Sequence, residues 1–132
     1  MGVRDDQEIT LDLLVALKDK EFRDHFLWQA LGPMISRQMR NIRISRGMTN
    51  AQLATAMGVS QGRVSYWENE KNGAKLSLRT LFKFAKFFDV ALIIRFCSWG
   101  DFLKWVAAEQ SAPSSFNSDE LMALVKKDVR NA

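Results

Sequence analysis

The sequence predicts a mainly α-helical protein whose central unit is a pair of short helices joined by a tight turn. Between residues 49 and 69, apolar residues recur at helical spacing on both sides of a Gly-Val-Ser turn. Other amphipathic segments follow a Ser, Thr or Asp that suits a helix N-cap. One stretch, VALIIRFC at 90–97, has instead the β-branched, apolar character of a strand. We therefore expect helices throughout and one short strand.

The composition suits one domain with modest extensions. Apolar residues make up 47% of the 132 residues, which is enough for a core. No apolar run approaches the ~18–20 residues that a membrane span needs, and the first residues lack the pattern of a secretory signal. Cys97 is the only cysteine, which excludes a disulfide framework within one chain. We expect a cytoplasmic protein that uses no metal or other cofactor and binds no membrane.

The positive charge is concentrated around the helix pair. Residues 36–95 hold eleven Lys and Arg side chains against three acidic ones, a net charge of +8. The flanking residues 1–35 and 96–132 have net charges of −3 and −1. The alternative is a solvated basic face with no binding role. Because the basic charge coincides with the helix pair, a nucleic acid partner is favoured.

The helix pair has an inner and an outer face. Thr49 is suited to cap its first helix and Gly58 to end it. Ser60 is suited to cap the second helix, whose inner stripe is formed by Val64 and Trp67. Gln and Arg side chains can make paired hydrogen bonds to base edges in a DNA major groove. The residues predicted to contact bases lie on the outer face: Gln61, Gly62, Arg63 and Tyr66.

The run LATAMGVSQGRVSYWEN (53–69) resembles the helix-turn-helix of the lambda/Cro-type (Xre-type) transcriptional regulators. The resemblance covers roughly residues 35–88, which form a five-helix unit in that family. The run KLSLRTLFKFAKFFDVALIIRF (75–96) looks like a bacterial and phage subgroup with a strand appended to this unit. There are two departures, because Asn50 stands where Gln is usual and Glu70 where Gly commonly follows the second helix.

The resemblance implies a function and further site residues. It implies a sequence-specific regulator of transcription, a repressor, which binds an inverted-repeat operator in double-stranded DNA as a homodimer. It also implies that Arg43 and Glu68 form a structural ion pair between the first helix of the unit and the recognition helix. Phosphate contacts are expected from residues around the recognition helix: Asn50, Gln52, Ser60, Ser65, Asn69, Lys71, Lys75 and Arg79.

The N-terminal part is expected to be a helical extension, residues 1–32. Thr10 is suited to cap a helix that runs to about Lys18, and Asp19 is suited to cap a second one. Gly32-Pro33 is expected to break the second helix, since Pro suits the first turn of a new helix. The DNA-binding domain would then occupy residues 33–89.

Residues 90–108 are predicted to form a dimerisation element. A lone strand at 90–97 would leave its backbone groups unpaired, which is costly, and the same strand of a second copy is the most economical partner. A buried extended segment or a continued helix is the alternative for 90–97. A helix capped by Ser98 would cover the strand, and residues 109–132 would form a linker and a C-terminal helix. The predicted dimerisation residues are Val90, Leu92, Ile94, Phe96, Phe102, Trp105 and Val106.

Two other functions are open on the sequence. The first is an antitoxin that binds a toxin protein and autoregulates its own operon. The second is an enzyme, which has little support because one His, one Cys and no Gly-rich phosphate loop leave no catalytic constellation.

Overall fold

The structure is a computed structural model that describes residues 10–108. Helices account for most of these residues, as the predicted mainly α class requires. A short 3-10 turn, Gly73–Lys75, lies between α4 and α5. The helices of the described range are α1 (Leu11–Ala16), α2 (Lys20–Ser45), α3 (Asn50–Met57), α4 (Gln61–Glu68), α5 (Leu78–Phe88) and α6 (Trp99–Ala107).

Side-chain caps determine where most of the helices begin. In each of five helices, the hydroxyl of the preceding residue accepts a hydrogen bond from a backbone N–H of the first turn, at 3.0–3.1 Å. These cap residues are Thr10, Thr49, Ser60, Ser77 and Ser98. The predicted helix starts at these positions are confirmed, because a cap depends only on residues that are close in sequence.

The predicted helix break at Gly32-Pro33 is wrong. Helix α2 runs for 26 residues with Pro33 inside it. A proline inside a helix removes one backbone hydrogen bond and costs about 3 kcal/mol. The buried side of α2 includes Ser36, Met39 and Ile42. Packing along this side outweighs the local cost, so the N-terminal extension continues into the central unit as one helix.

The core lies where α2, α3, α4 and α5 meet. Leu53 of α3 and Val64 of α4 are fully buried. The Trp67 ring meets the Phe84 ring edge-on, with 6.3 Å between ring centroids. Burial of these apolar side chains supplies most of the stabilisation at this junction. The cluster comprises Met39, Ile42, Leu53, Ala54, Val64, Trp67, Phe84 and Phe88.

The predicted dimerising β-strand is not present in the described residues. Residues 90–98 run between α5 and α6 without strand pairing, and residues 10–108 contain no strand at all. Residues 91–98 are exposed, with Ile93 at 81% and Phe96 fully accessible, so the buried-segment and continued-helix alternatives are wrong as well. β-branched side chains favour an extended backbone, but a β-strand also needs a neighbouring strand to which its backbone groups can hydrogen-bond.

The helix predicted after Ser98 is present as α6, and the Trp99 and Phe102 rings meet edge-on near its start. The linker and C-terminal helix predicted for 109–132 lie outside the described residues, as do residues 1–9. None of the helices between residues 10 and 108 combines the length and the apolar character that crossing a bilayer requires.

Candidate nucleic-acid interface

A left-handed glycine makes the turn between α3 and α4. Gly58 ends α3 with φ 69° and ψ 33°, a conformation that costs a residue with a Cβ about 1–2 kcal/mol. The backbone N–H of Val59 then donates to the carbonyl oxygen of Ala54 at 2.9 Å. Ser60 caps α4 directly afterwards, with its Oγ accepting from the N–H of Arg63. The turn therefore fixes the direction in which α4 leaves α3.

Helix α4 presents one side to the core and the other to solvent. Val64 is fully buried and Trp67 is 5% exposed. The remaining arc of the helix, from its first residue to its last full turn, is exposed. This arc holds all four residues predicted to contact bases, together with Ser65: Gln61, Gly62, Arg63 and Tyr66. The structure thus brings the predicted base-contacting residues together on one solvent-facing surface.

Asn50 and Gln52 of α3 are partly committed to contacts within the protein. The Asn50 side-chain amide donates to Ser65 Oγ at 3.2 Å, which ties the start of α3 to the outer side of α4. Gln52 Oε1 accepts from the backbone N–H of Thr49 at 2.8 Å in a capping box. Each side chain keeps amide hydrogens that chemistry would allow a phosphate to accept. Both side chains therefore have a structural role within the protein, whether or not they also contact DNA.

Arg43 and Glu68 form a bidentate ion pair between α2 and the end of α4. Arg43 Nε donates to Glu68 Oε2 at 2.6 Å and Nη2 donates to Oε1 at 2.9 Å. Arg43 Nη1 also donates to the carbonyl oxygen of Met48 at 2.8 Å. The side chains are only 12% and 9% exposed. The hydrogen bond to Glu68 raises the pKa of Arg43 against the opposing effect of burial.

The loop after α4, residues 69–76, folds back on the helix end. Asn69 Oδ1 accepts from the N–H of Lys71 at 3.0 Å. The Asn72 amide donates to the carbonyl oxygen of Tyr66 at 3.2 Å. Lys71 and Lys75 both remain exposed. Asn69 is thus a structural residue of the loop, and the two lysines are the loop residues best placed for an external anion.

Arginines of α2 pair with the acidic residue at the end of α4 and with the one in the loop that follows. Glu68 pairs with Arg43, and Glu70 Oε1 accepts from Arg37 Nη2 at 3.2 Å. The second pair is about half exposed and contributes well under 1 kcal/mol to stability. Its effect is instead on the surface potential. The cations of α4, the loop and the start of α5 are left exposed: Arg63, Lys71, Lys75 and Arg79.

Two contacts of α2 that hold this surface together have no signature in the sequence. Ser36 of α2 is fully buried, and its Oγ donates to the carbonyl oxygen of Asn69 at 3.0 Å. Arg46 of α2 donates to the Phe88 carbonyl oxygen and lies over the Phe88 ring. No local pattern marks either residue. The position of Ser36 beside the loop depends on the continuation of α2 through Gly32 and Pro33, which the sequence does not predict.

The predicted dimerisation residues are not equivalent in the structure. Val90 packs against the core cluster. In the segment that follows, Leu92 is 41%, Ile94 66% and Phe96 fully exposed. Phe102 and Val106 of α6 are half-buried, and Trp105 is exposed. Val90 therefore belongs to the core of its own chain, and the outward apolar residues begin at Leu92.

Residues 39–93 match the model of the Helix-turn-helix family, of Cro/C1 type. Over these residues the chain is similar to a helix-turn-helix domain. The matched range begins within α2 and ends just beyond α5, so it includes α3, the Gly58 turn and α4. Neither the curated proteins nor the solved structures gave a significant match.

The helix-turn-helix match agrees with the resemblance read from residues 53–69, and it indicates DNA binding and transcription regulation. Proteins of this family are typically not enzymes. Within residues 10–108, no three His, Cys, Asp or Glu side chains lie close enough to hold a metal ion.

Proposed function

We propose that the protein is a sequence-specific regulator of transcription, a repressor, that binds double-stranded DNA with α4 in the major groove. One observation carries the proposal. The exposed arc of α4 holds Gln61, Arg63 and Tyr66, and none of them packs in the core, while Val64 and Trp67 hold the opposite side. An outer face with hydrogen-bonding side chains on a firmly packed helix is what direct base recognition requires.

The residues of α4 match distinct tasks in the groove. The Arg63 guanidinium offers two parallel donors, which suit the O6 and N7 acceptors of guanine. The Gln61 amide offers a donor and an acceptor, which suit N6 and N7 of adenine. Gly62 lies between them with open space around it, since the nearest atom to an added Cβ is Ser60 Oγ at 3.9 Å. The DNA backbone or a base edge can therefore approach the helix closely at that point.

Phosphate binding is assigned to residues around α4. Lys71, Lys75 and Arg79 are exposed cations on the loop and at the start of α5. Ser60 and Ser65 are exposed hydroxyls, and each hydroxyl can donate a proton to phosphate while its oxygen accepts within the protein. Asn50 and Gln52 retain amide hydrogens for the same purpose. Such contacts orient a protein on the duplex and supply most of its salt-dependent affinity.

We further propose a homodimer on an inverted repeat. One recognition helix reads only a few base pairs, whereas two copies read half-sites about 34 Å apart, one turn of DNA. Leu92, Ile94 and Phe96 leave apolar side chains in solvent, and covering them against a second copy would be favourable by about 25 cal/mol per Å² of apolar surface. The proposed dimer contact is made between apolar side chains of residues 92–106 in the two copies.

The decisive experiment is selection of bound sequences from random duplex DNA by the purified full chain. The proposal expects enrichment of one motif with two inverted half-sites. Arg63→Ala provides the matched control, because it should lose preference at one base pair per half-site and keep the rest. Absence of any enriched motif with folded protein contradicts the proposed function.

Dimerisation and repression have separate tests. Sedimentation at micromolar concentration should give a dimer, and Ile94→Asp should shift it to a monomer; a wild-type monomer contradicts the homodimer. Expression of a reporter gene placed downstream of the selected sequence should decrease when the wild-type protein is present. It should not decrease when the Arg63→Ala variant is present. Nothing in residues 10–108 favours the antitoxin alternative over this proposal.

A further inference from the structure

Helix α2 contacts the end of α4 and the following loop at successive positions. Arg43 binds Glu68, and Ser36 donates to the carbonyl oxygen of Asn69. Arg37, which follows Ser36 on α2, donates to the carboxylate of Glu70. From Glu68 to Asn69 and Glu70 the chain advances, while its partners on α2 fall from Arg43 to Ser36 and Arg37, so this segment runs broadly antiparallel to α2. The loop path is therefore set by α2 as well as by α4.

The next contact in this series is made by two glycines. Both Gly32 and Gly73 are buried. A Cβ added to Gly73 would lie 2.6 Å from the carbonyl carbon of Gly32 and 2.8 Å from its Cα, and closer still to its oxygen. A Cβ added to Gly32 would lie 3.1 Å from the Ala74 nitrogen and from the Glu70 carbonyl oxygen. The neighbours on both sides are backbone atoms, which cannot rotate away as a side chain could.

Glycine at both positions is required by distance rather than by backbone angle. Neither residue has a positive φ, in contrast to Gly47 and Gly58. The loop thus reaches α2 at backbone-to-backbone distance, and any larger residue at position 73 would push it outward. Lys71 precedes Gly73 by two residues and Lys75 follows it by two. A displacement of Gly73 would carry both lysines with it.

We propose that the Gly32–Gly73 contact positions Lys71 and Lys75 for the DNA backbone, so that Gly32, in the middle of α2, is a positioning residue for DNA binding. The inference rests on the proposed function, because it presumes that the two lysines meet phosphate. It goes beyond that function by assigning a role in DNA binding to two buried residues that touch no DNA.

The test compares Gly73→Ala and Gly32→Ala with Gly100→Ala in the full chain. Gly100 lies in α6, where an added Cβ has only Ser98 Oγ within 4 Å, at 3.9 Å, so this control adds the same methyl group without a clash. Binding to the duplex selected by the wild type is measured between low and moderate salt. Amide NMR shifts of residues 69–76 in the free protein report whether the loop has moved, and thermal unfolding reports whether each variant is folded.

The proposal expects Gly73→Ala to move the loop amides and to lower the slope of log K against log salt by up to about 1.8, because each lost phosphate contact removes ~0.9. The order of preferred bases should not change. Gly32→Ala should act in the same direction but less, since its Cβ contacts are less severe. If Gly73→Ala does not fold, Gly32→Ala decides. Gly100→Ala should bind like the wild type.

Adding Lys75→Ala separates positioning from a general loss of stability. In the wild type, Lys75→Ala should reduce affinity; in the Gly73→Ala background it should reduce it much less, because the contact is already lost. Equal losses in both backgrounds, or loop shifts with an unchanged salt slope, overturn the inference while the proposed function stands. A folded wild type that binds no duplex DNA overturns both.

Discussion

The guanidinium of Arg43 and the carboxylate of Glu68 are joined by two parallel hydrogen bonds of 2.6 and 2.9 Å. The pair links the last turns of α2 to the last residue of α4. It therefore fixes the recognition helix at its C-terminal end, while the Gly58 turn fixes it at the N-terminal end. A helix held at both ends keeps its outer side chains in one orientation before DNA arrives.

Removing one partner of this pair should destabilise the fold strongly. Arg43→Ala leaves the largely buried Glu68 carboxylate without its partner, and it also removes the bond to Met48. We expect a loss of about 3 kcal/mol, the lower end of the range for buried pairs. Urea unfolding of Arg43→Ala, Glu68→Gln and the double variant measures the coupling. Arg40→Ala, at an exposed position of the same helix, is the control for substitution to Ala. Zero coupling in the cycle would show that the ion pair does not contribute to the free energy of unfolding.

Arg63→Ala should weaken binding to the cognate duplex by about 1–3 kcal/mol and relax preference at one base pair. The physical reason is that a bidentate contact to one base is lost while the phosphate contacts persist. Competition assays with single-base variants of the selected site measure it. Lys83→Ala is the control, because it removes one positive charge from the exposed side of α5 and leaves α4 unchanged. An equal loss on cognate and random DNA would assign Arg63 to phosphate instead.

Lys75→Ala should reduce the salt dependence of binding more than it changes sequence preference. A lysine on phosphate releases counterions, so its removal should lower the slope of log K against log salt by roughly one unit. Fluorescence anisotropy titrations at several salt concentrations provide the slope. Lys104→Ala in α6 serves as a control cation distant in sequence from the recognition helix. An unchanged slope for Lys75→Ala removes Lys75 from the phosphate set.

Gly62→Ala should move stability and DNA binding in opposite directions. Ala replaces Gly near the start of α4, where the added Cβ meets only Ser60 Oγ at 3.9 Å, so the free protein should gain about 0.5–1 kcal/mol. The same methyl group would stand between the helix and the DNA, and affinity should fall. Thermal unfolding and binding titrations test both. Improved stability with undiminished affinity would mean that DNA does not approach α4 at Gly62.

Leu53→Ala should cost about 2–5 kcal/mol, because Leu53 is fully buried among α2, α4 and α5 and the remaining space cannot close completely. Leu78→Ala is the matched control: it deletes the same atoms where 62% of the residue is exposed. Its effect should stay within about 1 kcal/mol. Denaturant midpoints of the two variants measure the difference, and similar midpoints would contradict the assigned core.

The parts of the fold that depend on neighbours in sequence could be predicted from the sequence. Thr49, Ser60 and Gly58 act within one helical turn, so the caps and the turn of the central unit follow from residue type alone. The outer face of α4 could be predicted as well, because Val64 and Trp67 define the inner one. Both successes concern interactions that span at most five residues along the chain.

The failures concern interactions between distant residues. Pro33 would end an isolated helix, but α2 persists because its side is packed against a loop about forty residues away in sequence. The stretch 90–97 has strand-like side chains, but no hydrogen-bonded neighbour exists for it in the described part of the chain. The contact of Ser36 with Asn69 belongs to the same class, and no spacing rule reveals it.

The unbroken course of α2 also has a mechanical meaning. A helix of 26 residues is about 39 Å long, and it is continuous from Lys20 through Pro33 to the ion pair at Arg43. The half that precedes Gly32 therefore turns together with the half that holds the recognition helix. A molecule bound to the N-terminal half would not swing on a tether. Its distance from α4 would instead be set by the length of the continuous helix α2.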